Sequence, residues 1–398
     1  MLYRRFGRTD LRMPIFSCGG MRFIHSWNNE FPLDEIPPES NANVEATVRR
    51  ALELGINHFE TSRGYGTSEK QLGLVLPKLP RDKIIVQTKV IPSADPDEFL
   101  AQCRDSIDRL HLDHVDLLAI HGLNNHEMLW WSICRGGCLA AARKLVDEGR
   151  ARHIGFSTHG SPDVIQAAID HDGDGGFDYM NLHWYYIRPQ NATVIQAAAE
   201  ADMGVFIISP SDKGGMLYSP PQKMRELCRP LDPLVFNCLY CLANPNVHTI
   251  SIGAAKPSDF DLQLTTIPLL DRADELLTPI VERLQAAMVE ALGRDVAERY
   301  AEGLPNWDVT PGCMNIQSIL WLRGLALAYD MREFAENRYG LLGNGAHWFP
   351  GMNAAQIDDL DLNKALEKSP FKKQIPDWLR ETHEMLYKGP QKLLSQSE

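Results

Sequence analysis

Several absences narrow the reading before any motif is considered. No stretch approaches the roughly 18–20 uninterrupted apolar residues of a membrane-spanning helix, so no membrane partner is expected. The opening Met1-Leu2-Tyr3-Arg4-Arg5-Phe6-Gly7 carries no apolar core of the signal-peptide kind, and a cytoplasmic location is the expectation. Positive charge is short: 40 Lys and Arg stand against 52 Asp and Glu, a formal net charge of -12. Nucleic acid needs clustered cations and is not an expected partner, although a basic pocket for one phosphate stays open. Cysteine is scattered, eight in all, and without an oxidising compartment disulfides are not expected. Only Cys238-x-x-Cys241 has a motif spacing. Among Leu234, Val235, Phe236, Leu239 and Leu242 it reads as two small residues of a buried helix or as a metal or redox pair. Gly-x-Gly-x-x-Gly occurs nowhere, which argues against a dinucleotide-binding doubly wound sheet.

What is present is globular and periodic. With 398 residues, 44% hydrophobic and 23% charged, the chain can bury one large domain and a smaller one. Short apolar runs predict strands at Pro14–Cys18, Asn57–Thr61, Ile84–Thr88, Val115–Ile120, His153–Ser157, Tyr179–His183, Val205–Ser209 and His248–Ile252. Helical spacing fills the intervals, as in Asn43–Leu54 before Gly55 and Phe99–Leu110. Eight strands, each feeding a helix, predict a (β/α)8 TIM barrel over residues 1–270. From 271 to 398 the alternation stops. Glu275–Leu292, Ile316–Tyr329, Glu333–Tyr339 and Pro376–Tyr387 read as helices of a C-terminal helical extension. Trp307, Trp321, Trp348 and Phe349 are its expected core.

Functional groups of such a barrel sit at the C-terminal strand ends. Three consecutive ends carry Glu60 with Tyr65, then Lys89, then His121. Together they suit carbonyl reduction. Tyr65 can give a proton, but a free phenol near pKa ~10 is a poor acid–base group at neutral pH. An adjacent ammonium on Lys89 is expected to lower that value. Lys89 in turn needs a counter-charge, which Glu60 supplies. His121 can hydrogen-bond the carbonyl oxygen or relay a proton.

These segments resemble the aldo-keto reductase family. The resemblance covers residues 1 to about 265. Tyr3-Arg4-Arg5-Phe6-Gly7-Arg8-Thr9-Asp10-Leu11 resembles its opening hairpin, which closes the barrel bottom. Gly55-Ile56-Asn57-His58-Phe59-Glu60-Thr61, Tyr65-Gly66 and Ser68-Glu69-x-x-Leu72-Gly73 resemble its best-known signature. Lys89 and His121 fall where the family keeps Lys and His. The resemblance implies Tyr65 as general acid, Lys89 tuning it, Glu60 anchoring Lys89 in place of the usual Asp, and His121 orienting a small carbonyl substrate. It implies a nicotinamide cofactor, usually NADPH, held outside a Rossmann fold.

The cofactor residues it implies are Gly20, Met21, Ser157, Thr158, Asn181, Ser209, Pro210, Lys213, Gly214, Gly215, Gly253, Lys256 and Gln263. Thr158 stands where the family has Asn, Asn181 where it often has Gln, and Ile208 where some members carry an aromatic. Lys256, beside the start of a last helix, is the implied partner of the NADP 2′-phosphate. The tail resembles, in its helix pattern, a ferredoxin-like module of some members, as at Asn315-Ile316-Gln317-Ser318-Ile319 and Pro370-Phe371 with Ile375-Pro376. The cluster cysteines are missing and only Cys313 remains, whereas a four-iron cluster normally takes four thiolates. A tail without clusters is therefore expected, with no metal, serving packing, substrate enclosure or docking of a protein partner. A nucleotide-sensing protein and a purely structural subunit are the competing readings.

Overall fold

In the computed structural model, which describes residues 1–391, strands β1 (Tyr3–Arg5) and β2 (Arg12–Pro14) form an antiparallel hairpin. Eight parallel strands follow. They are β3 (Phe16–Gly19), β4 (His58–Glu60), β5 (Ile85–Val90), β6 (Val115–His121), β7 (Ala151–Ser157), β8 (Tyr179–Leu182), β9 (Gly204–Ile207) and β10 (Thr249–Gly253). β10 pairs with β3 and closes the barrel. This is the (β/α)8 fold, and its strands are apolar runs because both faces are covered. In β6, Val115 through Ile120 are all buried.

The hairpin closes one end of the barrel. Phe6, fully buried, joins Met13, Leu117, Tyr179 and Phe206 in one apolar cluster. Its ring needs space at Gly204, where a Cβ would lie 2.7 Å from Phe6 Cζ. Charged and polar residues at the other end are therefore separated from solvent at the bottom by packed side chains.

The helices between strands start where local chemistry provides donors with partners. Pro38–Glu53 begins with Pro at its first turn and buries Val44, Val48 and Ala51 along one stripe. Gly55 follows with φ +81°, a left-handed position that favours glycine. Pro96–Arg109 is capped by Asp95, whose carboxylate accepts from the Asp97 and Glu98 amides. The short helix His126–Ile133 has no clear apolar stripe, and Asn125 caps it through the Met128 amide. Among the described residues no helix is long and apolar enough to cross a membrane.

The chain divides into two compact units. One comprises Met1–Gly214 and Asn237–Ala273; the other comprises Gly215–Phe236 and the chain from Asp274 onward. Residues 392–398 of the extension anticipated over 271–398 lie outside the described residues. In the second unit, Ile316–Tyr329 packs against Arg332–Leu341 and Ile375–Leu386. Asn315 caps the first of these through the Ser318 amide and also donates to the Pro350 carbonyl at 2.8 Å. The core of this unit mixes aliphatic and aromatic side chains: Leu322, Leu325, Leu341, Ile375, Leu379 and Leu386 are buried, as are Tyr329, Phe334 and Tyr339. Of the four aromatics anticipated there, Phe349 is buried, but Trp307 is 36% exposed. A large indole with a polar N–H is less readily buried in full than a phenyl ring.

Candidate active site

β4 and β5 place the central pair. Side chains alternate along a strand, so His58 and Glu60 share one face of β4, and Ile85, Gln87 and Lys89 share one face of β5. Ile85 belongs to the barrel-bottom cluster, so its face is the interior one. Lys89 thus lies within β5, not beyond its end, and is fully buried. Its ammonium is paired with Glu60 Oε2, donates to the Thr61 carbonyl at 2.7 Å and reaches Tyr65 Oη at 3.5 Å. Its three protons therefore have three oxygens. The nitrogen is 4.7 Å from the Tyr65 ring centroid.

Tyr65 and His121 meet edge to face, with ring centroids 5.9 Å apart. The structure therefore brings together all four anticipated groups. Lys89 lowers the Tyr65 pKa as expected, but it does not set the net direction. Burial pushes the Tyr65 phenol above its usual value; Lys89 offsets this in part, and the Glu60 charge adds to it. The net shift is upward because the phenolate loses more water than the single ammonium replaces. Burial disfavours the Lys89 ammonium too, but Glu60 and Tyr65 outweigh it and its pKa is raised.

The extra methylene of Glu60 has its own accommodation. Ser251 Oγ donates to Glu60 Oε1 at 3.3 Å. A Cβ on Gly19 would lie 3.0 Å from the same oxygen and 2.5 Å from Ser251 Oγ. The signature residues after Tyr65 serve as braces. Ser68 Oγ donates to the Gly20 carbonyl at 2.8 Å, and Thr88 Oγ1 donates to Glu69 Oε1 at 2.5 Å. Burial raises the Glu69 carboxyl to about 7.

A crevice beside these groups is lined by Gly19, Met21, Glu60, Tyr65, Ile208, Ser209, Asp212, Ser251 and Gly253. Met21, Ser209 and Gly253 of the anticipated cofactor set thus share it with Tyr65. Asn181 is fully buried, and neither atom of its amide has a protein hydrogen-bond partner. Thr158 donates to the Leu123 carbonyl at 2.6 Å and accepts from the Gly160 amide at 2.8 Å. Ser157 Oγ accepts from the Gly122 amide at 3.2 Å.

The remaining anticipated positions have mixed surroundings. The Pro210 carbonyl accepts from Asn237 at 2.9 Å, and a Cβ on Gly214 would lie 1.9 Å from that oxygen. Gly214 is therefore required by backbone approach. Gly20 is confined in the same way by the Glu60 carbonyl, 2.8 Å from its hypothetical Cβ. Lys213 Nζ lies 3.4 Å from His159 Nε2 and 3.5 Å from His183 Nε2. Gln263 Nε2 donates to Ser211 Oγ at 3.4 Å. Lys256 is exposed, and the last helix anticipated beside it is a 3-10 turn, Pro257–Phe260, running into Asp261–Leu264. The Ala255 amide there already donates to Asp259 at 2.8 Å. Gly215 opens the second unit with φ +134°.

Sequence reasoning passed over Ser62 and Ser251, which touch His121 and Glu60. Their partners lie 59 and 191 residues away along the chain, so no local pattern marks them. Cys238 and Cys241 are buried on the helix Pro233–Ala243 and form no disulfide, and burial raises the Cys241 thiol well above its usual range. They sit as two small residues of a buried helix, and a thiol so held is a poor ligand and a poor nucleophile. Among the described residues no three His, Cys, Asp or Glu side chains converge on a metal-sized site.

The fold is a closed parallel barrel of the (β/α)8 class, with a buried lysine–carboxylate pair and a phenol near the C-terminal ends of its strands. The chain belongs to the aldo/keto reductase family, which residues 17–234 match, and it is an oxidoreductase. It is 28% identical over 297 residues to an L-galactose dehydrogenase of Arabidopsis thaliana, covering 67% of this chain and 88% of that protein. It is 25% identical over 218 residues to a D-threo-aldose 1-dehydrogenase of Pseudomonas sp, covering 46% and 64%. An L-glyceraldehyde 3-phosphate reductase of Escherichia coli (strain K12) is 25% identical over 186 residues, 43% of this chain and 49% of that one. The fold is shared with an aldo-keto reductase from Bacillus halodurans in its holo form: TM-score 0.59, 20% identity, 71% of this chain and 96% of that one.

Proposed function

We propose that the protein is a nicotinamide-dependent oxidoreductase, with NADP as its cofactor, that interconverts a small aldehyde or ketone and its alcohol. The observation carrying this is the Lys89 ammonium placed between Glu60 and Tyr65 Oη. The buried Asn181 amide supports a nicotinamide, since one unpartnered donor–acceptor group suits another amide. Met21, Ser209, Gly253 and Asn181 would hold the cofactor, with Lys256 against a 2′-phosphate. When bound, it supplies or accepts the hydride.

The chain's own residues handle the proton. Tyr65, its pKa raised, is protonated at neutral pH and is loaded as an acid for reduction. As it releases its proton to the substrate oxygen, Lys89 at 3.5 Å stabilises the phenolate left behind. Glu60 keeps that ammonium in register, and His121 orients the substrate oxygen. The names of the relatives make aldoses and their lactols the first substrates to try.

The test is oxidation of NADPH, and separately NADH, across aldehydes, ketones and aldoses. Tyr65→Phe is expected to lower kcat by about 10²–10⁴-fold, the range for a lost general acid, and to leave NADPH binding nearly unchanged. Tight NADPH binding by the native chain with no turnover on any of them would favour the nucleotide-sensing role instead.

A further inference from the structure

We infer that Ser62 sets the tautomer of His121, so that the neutral imidazole carries its proton on Nδ1 and presents a lone pair at Nε2. Ser62 follows β4 and is fully buried. Its hydroxyl meets three groups: His121 Nδ1 at 2.8 Å, the Lys89 carbonyl at 3.1 Å and the Gly64 amide at 3.1 Å. A hydroxyl has one proton to give and two lone pairs. The Gly64 N–H can only donate, and the Lys89 carbonyl can only accept.

Two arrangements are available. In the first, Ser62 donates to Lys89 and accepts from both Gly64 and His121 Nδ1–H. All three short contacts are then hydrogen bonds. In the second, Ser62 donates to Nδ1, and two oxygens are left facing each other at 3.1 Å with no hydrogen between them. A buried hydroxyl favours the first, in which both lone pairs of Ser62 Oγ have a proton and its own proton has an acceptor.

The hydroxyl is also well anchored. The Thr61 amide donates to the Gln87 carbonyl at 2.8 Å and the Arg63 amide to the Lys89 carbonyl at 3.0 Å. These bonds stitch the Ser62 loop to β5 on both sides. The Tyr65 amide donates to the Ser62 carbonyl at 2.9 Å. Ser62 thus ties the orientation of His121 to the strand and loop that carry Lys89 and Tyr65.

The consequence rests on the proposed role of His121 toward the reacting oxygen. A neutral ring held this way accepts at Nε2, so it suits a substrate hydroxyl. It donates to a carbonyl only after taking a second proton. Ser62 is a positioning residue that acts through His121.

The experiment is nitrogen NMR of the full chain labelled in its histidines, with His121→Asn to assign the signal. At a pH where the ring is neutral, the proton is expected on Nδ1. Ser62→Ala is expected to shift the tautomer ratio toward Nε2 by about fivefold or more, the equivalent of one hydrogen bond, and Ser62→Thr to restore it. A native His121 protonated at Nε2 overturns the inference, as does an unchanged ratio in a folded Ser62→Ala variant. If either variant fails to fold, the native spectrum decides alone. Absence of turnover would remove the orienting role of His121 and leave these nitrogen signals as they are, so the two failures are separable.

Discussion

Glu60 reaches Lys89 with one more methylene than an aspartate would, and the residues around it are matched to that length. Gly19 leaves the space, and Ser251 holds the second carboxylate oxygen. Glu60→Asp should therefore harm the site even though it restores the residue usual in the family. The shorter arm gives up either the Ser251 contact or the close pairing with Lys89. We expect a roughly tenfold fall in kcat, about 1.4 kcal/mol of transition-state stabilisation; activity equal to or above native would overturn this account of Gly19 and Ser251. Glu69 makes a different prediction. Its folded pKa of about 7 lies above its ordinary 4.5, so the native state binds the extra proton. The associated stability is fully present below pH 4.5 and is lost as pH rises through 7. The loss amounts to about 3 kcal/mol at most. Glu69→Gln keeps an oxygen for the Thr88 hydroxyl and carries no charge. Its denaturation midpoint should exceed the native one at pH 8.5 and match it near pH 4.5.

Elements differ in how plainly the sequence announces them. The eight barrel strands were legible as apolar runs because burial on both faces leaves little room for polar residues. Their ends were less so. Lys89 looks like a strand-ending polar residue, yet β5 runs one residue past it, with Glu60 balancing its buried charge; His121 does end β6. The helix His126–Ile133 is poorly marked in the sequence because its stabilising feature is the Asn125 cap, not an apolar stripe. The hairpin was legible through its resemblance, and its physical task is the Phe6 plug. Phe6→Ala removes a fully buried ring that Gly204 cannot replace. We expect a loss of about 3–5 kcal/mol, measured by denaturant unfolding. A loss under 1 kcal/mol would mean that the cluster of Met13, Leu117 and Phe206 collapses into the gap.

For the molecule as a whole, buried histidines govern behaviour in acid. Burial, aided by the Lys89 charge, lowers His58 to about 3, and burial, aided by Arg4, lowers His248 to about 4. His58 Nδ1 lies 2.7 Å from Ser17 Oγ, and His248 Nδ1 accepts from the Val205 amide. Both are depressed from 6.5, so the unfolded chain binds these protons first. The stability they protect is present above pH 6.5 and is lost as pH falls toward 3 to 4. Each histidine contributes a slope of about 1.4 kcal/mol per pH unit. Over pH 6 to 5, Glu69 works in the opposite direction and cancels roughly one of them. Denaturant midpoints should therefore fall as the native chain is acidified through that range, and less steeply than those of Glu69→Gln, since His114, His153, His347 and His383 are lowered as well. Equal slopes would overturn the assignment of Glu69 as the opposing group.

By itself, the sequence determined the class of architecture and the chemical types at the site. Strand and helix periodicity, and an acid, a phenol, an amine and an imidazole at successive strand ends, are properties of neighbouring residues. Only the tertiary structure decided how those groups are charged and held. Burial, not the nearby ammonium, sets the direction of the Tyr65 shift; Ser251 and Gly19 make room for Glu60; and Ser62 meets His121 across 59 residues. The reason is physical. Desolvation and hydrogen bonding depend on what surrounds an atom in three dimensions, and closing the barrel brings together side chains that the chain itself keeps far apart.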